Sequence, residues 1–256
     1  MSEQSETGIY IFCGIQTDQE EMNEIIEVEG KKTDLFLIHY KDAAMVAAEV
    51  PLKIYQPNKE NLMMHQHTVS KVMKQHRTVI PISFGNVFNS REDVKVLLEN
   101  LYPQLTKLFP EIQDKIELGL KVVGKKDWLE SIVKESPELK QHAESVNEKS
   151  EAASYYERIQ LGGIAQKLIA SIQQEIEEDI YHSLDDTAVA SKLNDPLGEK
   201  MLLNASFLID YDQEEQFDEK VNKAHEKWKD KVDFKYTGPW PAYNFVNIRL
   251  TVDENA

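Results

Sequence analysis

Apolar and polar residues alternate along the first half of the chain with a period that changes between elements. Apolar, β-branched and aromatic residues dominate residues 8–15, 34–40 and 43–50, and such runs predict three strands. Lys41 and Asp42 separate the last two runs, so they predict the turn of a hairpin.

The spacing then becomes helical. Residues 58–76 carry apolar side chains on one stripe, which predicts a helix, whereas the acidic residues 17–29 favour a short helix or a loop. Residues 78–83 predict a further strand, and Pro81 places that strand at a sheet edge or a bulge because proline has no N–H to donate. This order of strands and helices is that of a split βαβ, or ferredoxin-like, unit.

A helix follows that carries two markers of its limits. Ser90 and Asp93 have the spacing of a capping box at its start, and Pro103 should kink or break it. A domain boundary is predicted after this helix, which divides the chain into residues 1–112 and residues 113–256.

The second half repeats the order of the first without detectable identity. Its predicted elements are a strand at 116–122, helices at 125–151 and 155–182, strands at 188–193 and 203–209, a helix capped by Asp212, and a strand at 232–236. The predicted fold class is therefore α+β, with two tandem ferredoxin-like units and additional helices.

The most distinctive run in the chain lies at residues 236–246 and reads Tyr-Thr-Gly-Pro-Trp-Pro-Ala-Tyr-Asn-Phe-Val. Two prolines flank Trp240, which predicts a stiff, non-helical bend at residues 238–241 and an aromatic cluster that packs into a core. Alternating apolar residues then predict a half-buried strand, and these residues are Val246, Ile248, Leu250 and Val252.

Composition narrows the possible partners. The net charge is −16, from 45 acidic and 29 basic residues, and so acidic a surface repels nucleic-acid backbones and anionic membranes. No apolar run approaches the roughly 18 residues that span a bilayer, and the polar start of the chain is unlike a signal peptide. With Cys13 as the one cysteine, we expect a cytoplasmic protein.

No pattern in the chain predicts a catalytic, metal or cofactor site. The ten glycines form no phosphate-binding loop, and Cys13 in an apolar strand is expected to be inert. On the predicted helix His65 and His67 point about 200° apart, whereas His65 and His76 are about 16 Å apart along the axis, so no two of them share a metal. We expect His65 and His76 at the edge of the core with hydrogen-bonded ring nitrogens.

A second run, Thr-Val-Ile-Pro-Ile-Ser-Phe-Gly-Asn-Val-Phe at residues 78–88, is as distinctive as the first. Residues 78–88, here called the N-terminal motif, and residues 236–246, the C-terminal motif, together resemble the signatures of the gas vesicle accessory proteins F and L. Residues 8–12 are similar to that family's first strand. The chain has Ser83 where the family usually has a basic residue and Asn86 where it has a small hydroxyl residue, so no role is transferred to these two.

The resemblance implies a non-enzymatic accessory protein of gas vesicle assembly. Its implied partner is the small hydrophobic major shell protein, bound during nucleation or growth of the vesicle, with other accessory proteins as further candidates. The implied location is cytoplasmic and vesicle-associated. Signature positions expected to be structural are His65, Pro81, Gly85, Gly238, Pro239, Trp240, Pro241, Tyr243 and Phe245.

Three residues near the N-terminal motif are predicted partner contacts. Phe84 and Phe88 stand beside the Pro81 strand, whose edge could accept an added strand, and Arg77 lies where the helix meets that strand. The opposing interpretation is that both phenylalanines are core residues and Arg77 is an ordinary surface charge. A small-molecule sensor with tandem ferredoxin-like units is the alternative function, argued from fold analogy alone, and an enzyme ranks third.

Overall fold

The structure is a computed structural model that describes residues 6–139 and 151–248, with the backbone alone for residues 151–161. The described residues form two compact units. The first comprises the described residues up to Glu117 together with Pro239 to Ile248, and the second runs from Leu118 to Gly238. Each unit is built on its own antiparallel sheet.

The first unit contains six strands and two helices. Its strands are β1 (Thr7–Gln16), β2 (Ile25–Val28), β3 (Lys31–Tyr40), β4 (Ala43–Pro51), β5 (Val79–Pro81) and β6 (Val87–Phe88). Its helices are α1 (Lys59–Gln75) and α2 (Arg91–Ile112). The predicted strands, the Lys41–Asp42 hairpin turn and the two helices are all confirmed, with Asn58 as the N-cap of α1 and a Ser90–Asp93 capping box on α2.

The sheet of the first unit has the order β2-β3-β4-β1-β5, and β6 also pairs with β1. Leaving out β2, this is the ferredoxin-like order, and it confirms that the Pro81 strand lies at an edge. Of the two alternatives for residues 17–29, the loop is right for residues 17–24, whereas residues 25–28 form β2, a strand that the sequence analysis did not predict.

Strand β1 is buried along eight of its ten residues because helices cover both faces of the sheet. A bulge between Ile11 and Cys13 inserts Phe12, so Tyr10, Phe12 and Cys13 all join the core on the side of α1. The alternate residues of β4, such as Met45 and Ala47, face α2. Because both faces are covered, β1 is a continuous apolar run rather than an alternating one.

The second unit follows the complete ferredoxin-like order. It contains β7 (Lys115–Gly124), α3 (Lys126–Glu135), α4 (Glu151–Ile176), a π-helical turn (Glu177–Tyr181), α5 (His182–Asp185), β8 (Ala190–Leu193), β9 (Met201–Asp210), a 3₁₀ turn (Tyr211–Gln213), α6 (Glu214–Trp228) and β10 (Val232–Trp240). The sheet order β10-β7-β9-β8 places the first and third strands at the centre. Strands β7 and β10 also carry the chain between the units, since each of these strands has residues in both.

Three predictions about individual elements are wrong. Helix α2 continues through Pro103 because Leu98, Leu101 and Leu105 are buried on one stripe, which offsets the one hydrogen bond lost at the proline. Asp212 lies in the 3₁₀ turn, and Gln213 is the N-cap of α6 without a side-chain hydrogen bond.

The third correction concerns the end of the chain. Residues 241–248 form a turn and irregular backbone instead of a bend followed by a strand, because β10 itself extends to Trp240. Val246 and Ile248 therefore do not lie in a strand, and Leu250 and Val252 lie outside the described residues.

Candidate functional site

The N-terminal motif forms β5, a short loop and β6 along one side of β1. Pro81 pairs with Cys13, and Phe88 pairs with Ile9, so β1 holds both ends of the motif. The loop between them is also tied to β1, because the Ile11 N–H donates to the Asn86 carbonyl at 3.1 Å. The motif is therefore anchored backbone to backbone.

A series of connected hydrogen bonds also holds this loop on the side of α1. His65 Nε2 lies 3.2 Å from the Ile82 carbonyl, which can only accept, so Nε2 carries the ring proton. Nδ1 is then the acceptor, and Tyr10 Oη donates to it at 3.0 Å. The Gly85 N–H donates to Tyr10 Oη at 2.9 Å, so the loop is hydrogen-bonded both to His65 and to Tyr10.

Burial makes this arrangement a neutral one. His65 is 4% exposed, and its burial lowers its pKa to about 4, so the imidazole is uncharged near neutral pH. Burial also raises the pKa of Tyr10 to about 12, which keeps its hydroxyl protonated as the donor that His65 requires. Both ring nitrogens of His65 have partners, as predicted. His76 differs, because its buried Nε2 has no partner among the described residues.

Phe84 and Gly85 occupy the loop for separate reasons. The Phe84 ring packs 5.9 Å from His65 and 6.3 Å from Tyr10, centroid to centroid, so it faces the core on the α1 side. Gly85 has φ +90°, a left-handed conformation that side chains with a Cβ adopt rarely, whereas a Cβ there would meet no close neighbour. The backbone angle, not the space, favours glycine.

The C-terminal motif begins on β10 and ends in a compact turn. Gly238 has φ +132°, and Pro239 is accommodated because β10 is an edge strand. Pro241 is buried, whereas Trp240 and Phe245 are half-buried and Tyr243 is 39% exposed. The aromatic residues are thus less deeply inserted than the sequence predicts.

A buried carboxylate fixes the position of this turn. Glu117 on β7 is 4% exposed, and it accepts from the backbone N–H of Asn244 at 2.8 Å and from the Asn244 side-chain amide. The two residues are 127 positions apart in the chain. Two charge-assisted hydrogen bonds to one residue hold the turn in a single orientation.

The two motifs meet at one groove in the first unit, here called the motif groove. It has a volume of about 390 Å³ and is open on one side. The N-terminal motif, α2, β1 and the segment after β10 form its walls. Its lining residues are Ile11, Pro81, Ile82, Ser83, Asn86, Phe88, Leu97, Leu101, Tyr243, Val246, Asn247 and Ile248.

The predicted contact residues take different positions relative to the motif groove. Phe88 is half-buried and lines it, whereas Phe84 packs toward the α1 side and does not. Arg77 is exposed and lies 3.7 Å from Asp114 in an ion pair, away from the groove lining. Their roles as partner contacts remain predictions.

Sequence reasoning missed the residues that hold the site together. Tyr10, Glu117 and Asn244 act through single side chains brought together from distant positions, and none carries a local pattern. The signal that could have indicated Glu117 is its place in β7, where an acidic residue stands among alternating buried positions.

Three further observations concern metal-ligating clusters, the thiol of Cys13 and the membrane-spanning character of the helices. No cluster of three metal-ligating side chains occurs in the part of the chain that the structure describes. Cys13 is fully buried, and burial raises the pKa of its thiol far above the usual range. None of the described helices combines the length and the apolar character needed to cross a bilayer.

Comparison with known proteins gives one consistent result. The family described as gas vesicle synthesis protein GvpL/GvpF matches residues 8–247. Gas vesicle protein F1 of Halobacterium salinarum is 23% identical over 93% of this chain and 92% of its own length. Gas vesicle protein F of a Nostoc species is 26% identical over 94% of this chain and 99% of its own.

Two solved structures share the fold. The crystal structure of GvpF from an Anabaena species superposes with a TM-score of 0.81 at 23% identity, over 95% of this chain and all of that one. GvpF from Microcystis aeruginosa gives a TM-score of 0.72 at 20% identity, over 93% and 98% of the two chains. With a family match that spans both motifs, the chain belongs to the GvpL/GvpF family of gas vesicle accessory proteins.

Proposed function

We propose that the protein binds the small hydrophobic shell protein of the gas vesicle in the cytoplasm, during nucleation or growth of the vesicle. The observation that carries the proposal is the convergence of two motifs, about 160 residues apart, on one open groove of the first unit. A purely structural role for both motifs would not require them to leave an apolar groove open between them.

The groove suits an apolar segment rather than a charged one. Phe88, Leu97 and Val246 supply apolar walls, and Ser83, Asn86 and Asn247, which also line the groove, have uncharged polar side chains. Protein binding sites typically combine apolar contact area with a few polar groups and few charges. Among the residues that the structure describes, no lysine, arginine or carboxylate lines it, so an anionic or cationic ligand would find no partner among them.

The charge of the whole chain supports the same task. A shell protein that polymerises exposes apolar surface before assembly and needs a partner that keeps it dispersed. The net charge of −16 would keep such a complex soluble, while the motif groove provides the contact. The protein acts in this proposal without catalysis and without a cofactor.

The test is co-expression of the full chain with the major shell protein, followed by pull-down and measurement of soluble shell protein. Phe88→Asp places a charge in the groove and should reduce capture by about tenfold or more, since an unpaired charge would be desolvated. Ile54→Asp is the matched control, because Ile54 is 86% exposed in the same unit and lies outside the groove. Thermal melts of both variants verify folding.

Two outcomes would count against the proposal. If Phe88→Asp folds and captures shell protein as well as Ile54→Asp does, the motif groove is not the contact surface. If the wild type captures no shell protein, the binding function itself fails, and a thermal-shift screen with metabolites should test the sensor alternative. The volume of about 390 Å³ lies within the range of small-molecule pockets.

A further inference from the structure

Strand β2 forms the edge of the first unit's sheet opposite to the Pro81 edge, and its outer backbone groups have no strand partner among the described residues. Val28 pairs with Lys31 across a two-residue turn, in which Glu29 and Gly30 both have positive φ. In that register Ile26 and Val28 exchange hydrogen bonds with β3, and the Leu35 N–H donates to the Glu24 carbonyl as the pattern requires.

The alternate residues of β2, Ile25 and Glu27, therefore direct their backbone groups away from the sheet. Ile25 and Glu27 present their N–H groups at the free edge, as does the Glu27 carbonyl. The Ile25 carbonyl accepts from Lys71 Nζ at 3.0 Å, so α1 reaches over this edge at one end only. An edge of this kind is a template for one more strand.

A groove accompanies this edge on the side of α1, and we call it the strand–helix groove. It has a volume of about 320 Å³ and is lined on one side by β2 and on the other by Met64, His67, Thr68 and Lys71. These four residues recur at helical spacing and form one ridge of α1. A neighbouring cavity of about 270 Å³ extends it past Gly30 toward Glu60.

The dimensions of the groove fit a short extended segment. The four residues of β2 span about 13 Å, and α1 rises about 10 Å from Met64 to Lys71. Three or four residues of an added strand would therefore lie between the edge and the helix. Every second side chain of that strand would point toward Met64, while Ile25, which is 54% exposed, offers apolar contact beside it.

The charges along the groove differ between its ends. Lys71 stands at the Ile25 end, with Glu24 3.6 Å away as its ion-pair partner, and His67 lies in the middle. Glu29 and Glu60 stand at the opposite end, where Lys53 pairs with Glu29. Lys32 and Glu27 face each other across the hairpin and offset one another. The groove therefore favours an acidic group beside Lys71 and a basic group beside Glu60.

We propose that the strand–helix groove binds an extended peptide segment of a partner protein by strand addition to β2. The segment has an apolar residue over Met64, an acidic group beside Lys71 and a basic group near Glu60. A second copy of this chain fits less well, because two chains with a net charge of −16 repel each other. This surface is separate from the motif groove and does not depend on its function.

The probe is a blocked eight-residue peptide that alternates valine and threonine between a lysine at one end and a glutamate at the other. A peptide of the same length and charge, with one central proline in place of a threonine, is the control, since it cannot complete the ladder of hydrogen bonds. Titration into the full-length protein should show binding of the probe at least about tenfold tighter than of the control. Hydrogen exchange at the amides of Ile25 and Glu27 should slow when the probe is bound.

Two variants locate the contact. Glu27→Pro removes an N–H that points to the free edge and no bond to β3, so the probe should bind about tenfold more weakly while the thermal melt is retained. Lys71→Glu should weaken binding of the probe. The same variant should bind with restored affinity a second peptide in which lysine replaces the terminal glutamate of the probe. Lys74→Glu, an exposed position on α1 outside the groove, should change neither affinity.

The proposal is overturned if the wild type binds the probe no better than the proline-containing control. It is equally overturned if folded Glu27→Pro binds as the wild type does. If Glu27→Pro does not fold, the test is the affinity of Lys71→Glu for the two peptides. The proposal is refuted if these affinities equal those of the wild type. If sedimentation instead shows a dimer that Glu27→Pro abolishes, and the probe does not bind, the occupant is a second copy and the peptide proposal is wrong.

Discussion

At the scale of single residues, the loop of the N-terminal motif depends on two buried polar side chains, Tyr10 and His65, whose hydrogen bonds are all made. Tyr10 is fully buried, yet its hydroxyl serves both His65 and the loop of the N-terminal motif. Paired buried polar groups specify one arrangement of the surrounding chain, because every alternative leaves a donor or acceptor without a partner. The loop that borders the motif groove is therefore held in one conformation by its hydrogen bonds to His65 and Tyr10.

Lowering the pH should destabilise the protein through His65. Its pKa is about 4 in the folded state and about 6.5 in the unfolded state. Above pH 6.5 the ring is neutral in both states, and as the pH falls toward 4 only the unfolded state gains a proton. The free energy of unfolding should therefore decrease across this window, by at most on the order of 3 kcal/mol. Urea unfolding at several pH values measures this.

Two variants separate the contribution of His65 to the pH dependence from that of carboxylates that titrate in the same pH range. His65→Gln should lose this part of the pH dependence, whereas His67→Gln should keep it, because His67 is exposed on the other side of the same helix. Identical pH profiles for the wild type and His65→Gln would contradict the assignment.

Trp228 and Trp240 should differ in the free energy of unfolding that their truncation to alanine costs. Trp228 is 3% exposed and donates its Nε1–H to Asp179 at 2.6 Å, so Trp228→Ala should cost about 3–5 kcal/mol. Trp240 is only half-buried, and Trp240→Ala should cost less, about 1–3 kcal/mol. Equal losses in urea unfolding would show that Trp240 is more important to the core than its exposure indicates.

At the scale of elements, the segment after β10 has little regular structure and is held by a few polar contacts. Its backbone closes one turn, in which the N–H groups of Phe245 and Val246 both donate to the Ala242 carbonyl. Glu117 attaches that turn to β7 through Asn244. The wall of the motif groove therefore depends on this carboxylate as well as on the packing of Pro241 and Ala242, which are both buried.

Asn244→Ala should loosen this wall without unfolding the sheet. It removes the side-chain amide that donates to the buried carboxylate of Glu117, at a cost of about 1–2 kcal/mol. Hydrogen exchange of the Phe245 and Val246 amides should accelerate. Asn247→Ala is the control, because Asn247 is exposed, and its effect should stay within about 0.5 kcal/mol. Unchanged exchange in Asn244→Ala would indicate that other contacts hold the turn.

At the scale of the whole molecule, each unit has its own sheet and its own core, but the chain passes between the units twice. The predicted division into residues 1–112 and 113–256 remains a proposal. In the structure the described residues after Gly238 group with the first unit, which gives a sharper design for the experiment.

Residues 118–238 expressed alone should fold with a cooperative thermal melt, because they contain most of the four-stranded sheet and its helices. Residues 1–112 alone should melt at a lower temperature than the full chain, since they lack Glu117 and the segment that it holds. A non-cooperative melt of residues 118–238 would show that the second unit needs the first. A fragment 1–112 as stable as the intact protein would show that Glu117 and its segment contribute nothing.

The sequence by itself determined β1, β3, β4 and β5, the hairpin turn, the boundaries of α1, the start of α2 and the repeated element order. These features depend on local periodicity and on caps such as Asn58 and Ser90, whose effects extend only a few residues along the chain. The family was also accessible, because the two motifs are contiguous strings. Local rules failed at Pro103, where burial of a long apolar stripe outweighs the preference of one proline.

Only the tertiary structure decided which distant residues form the site. Phe84 and Phe88 are four positions apart and look equivalent in sequence, yet Phe84 packs toward His65 and Phe88 lines the motif groove. The contact between Glu117 and Asn244 depends on how far β10 extends and where the following turn lies. Such contacts arise from the pairing of remote strands, and neither periodicity nor spacing along the chain contains that information.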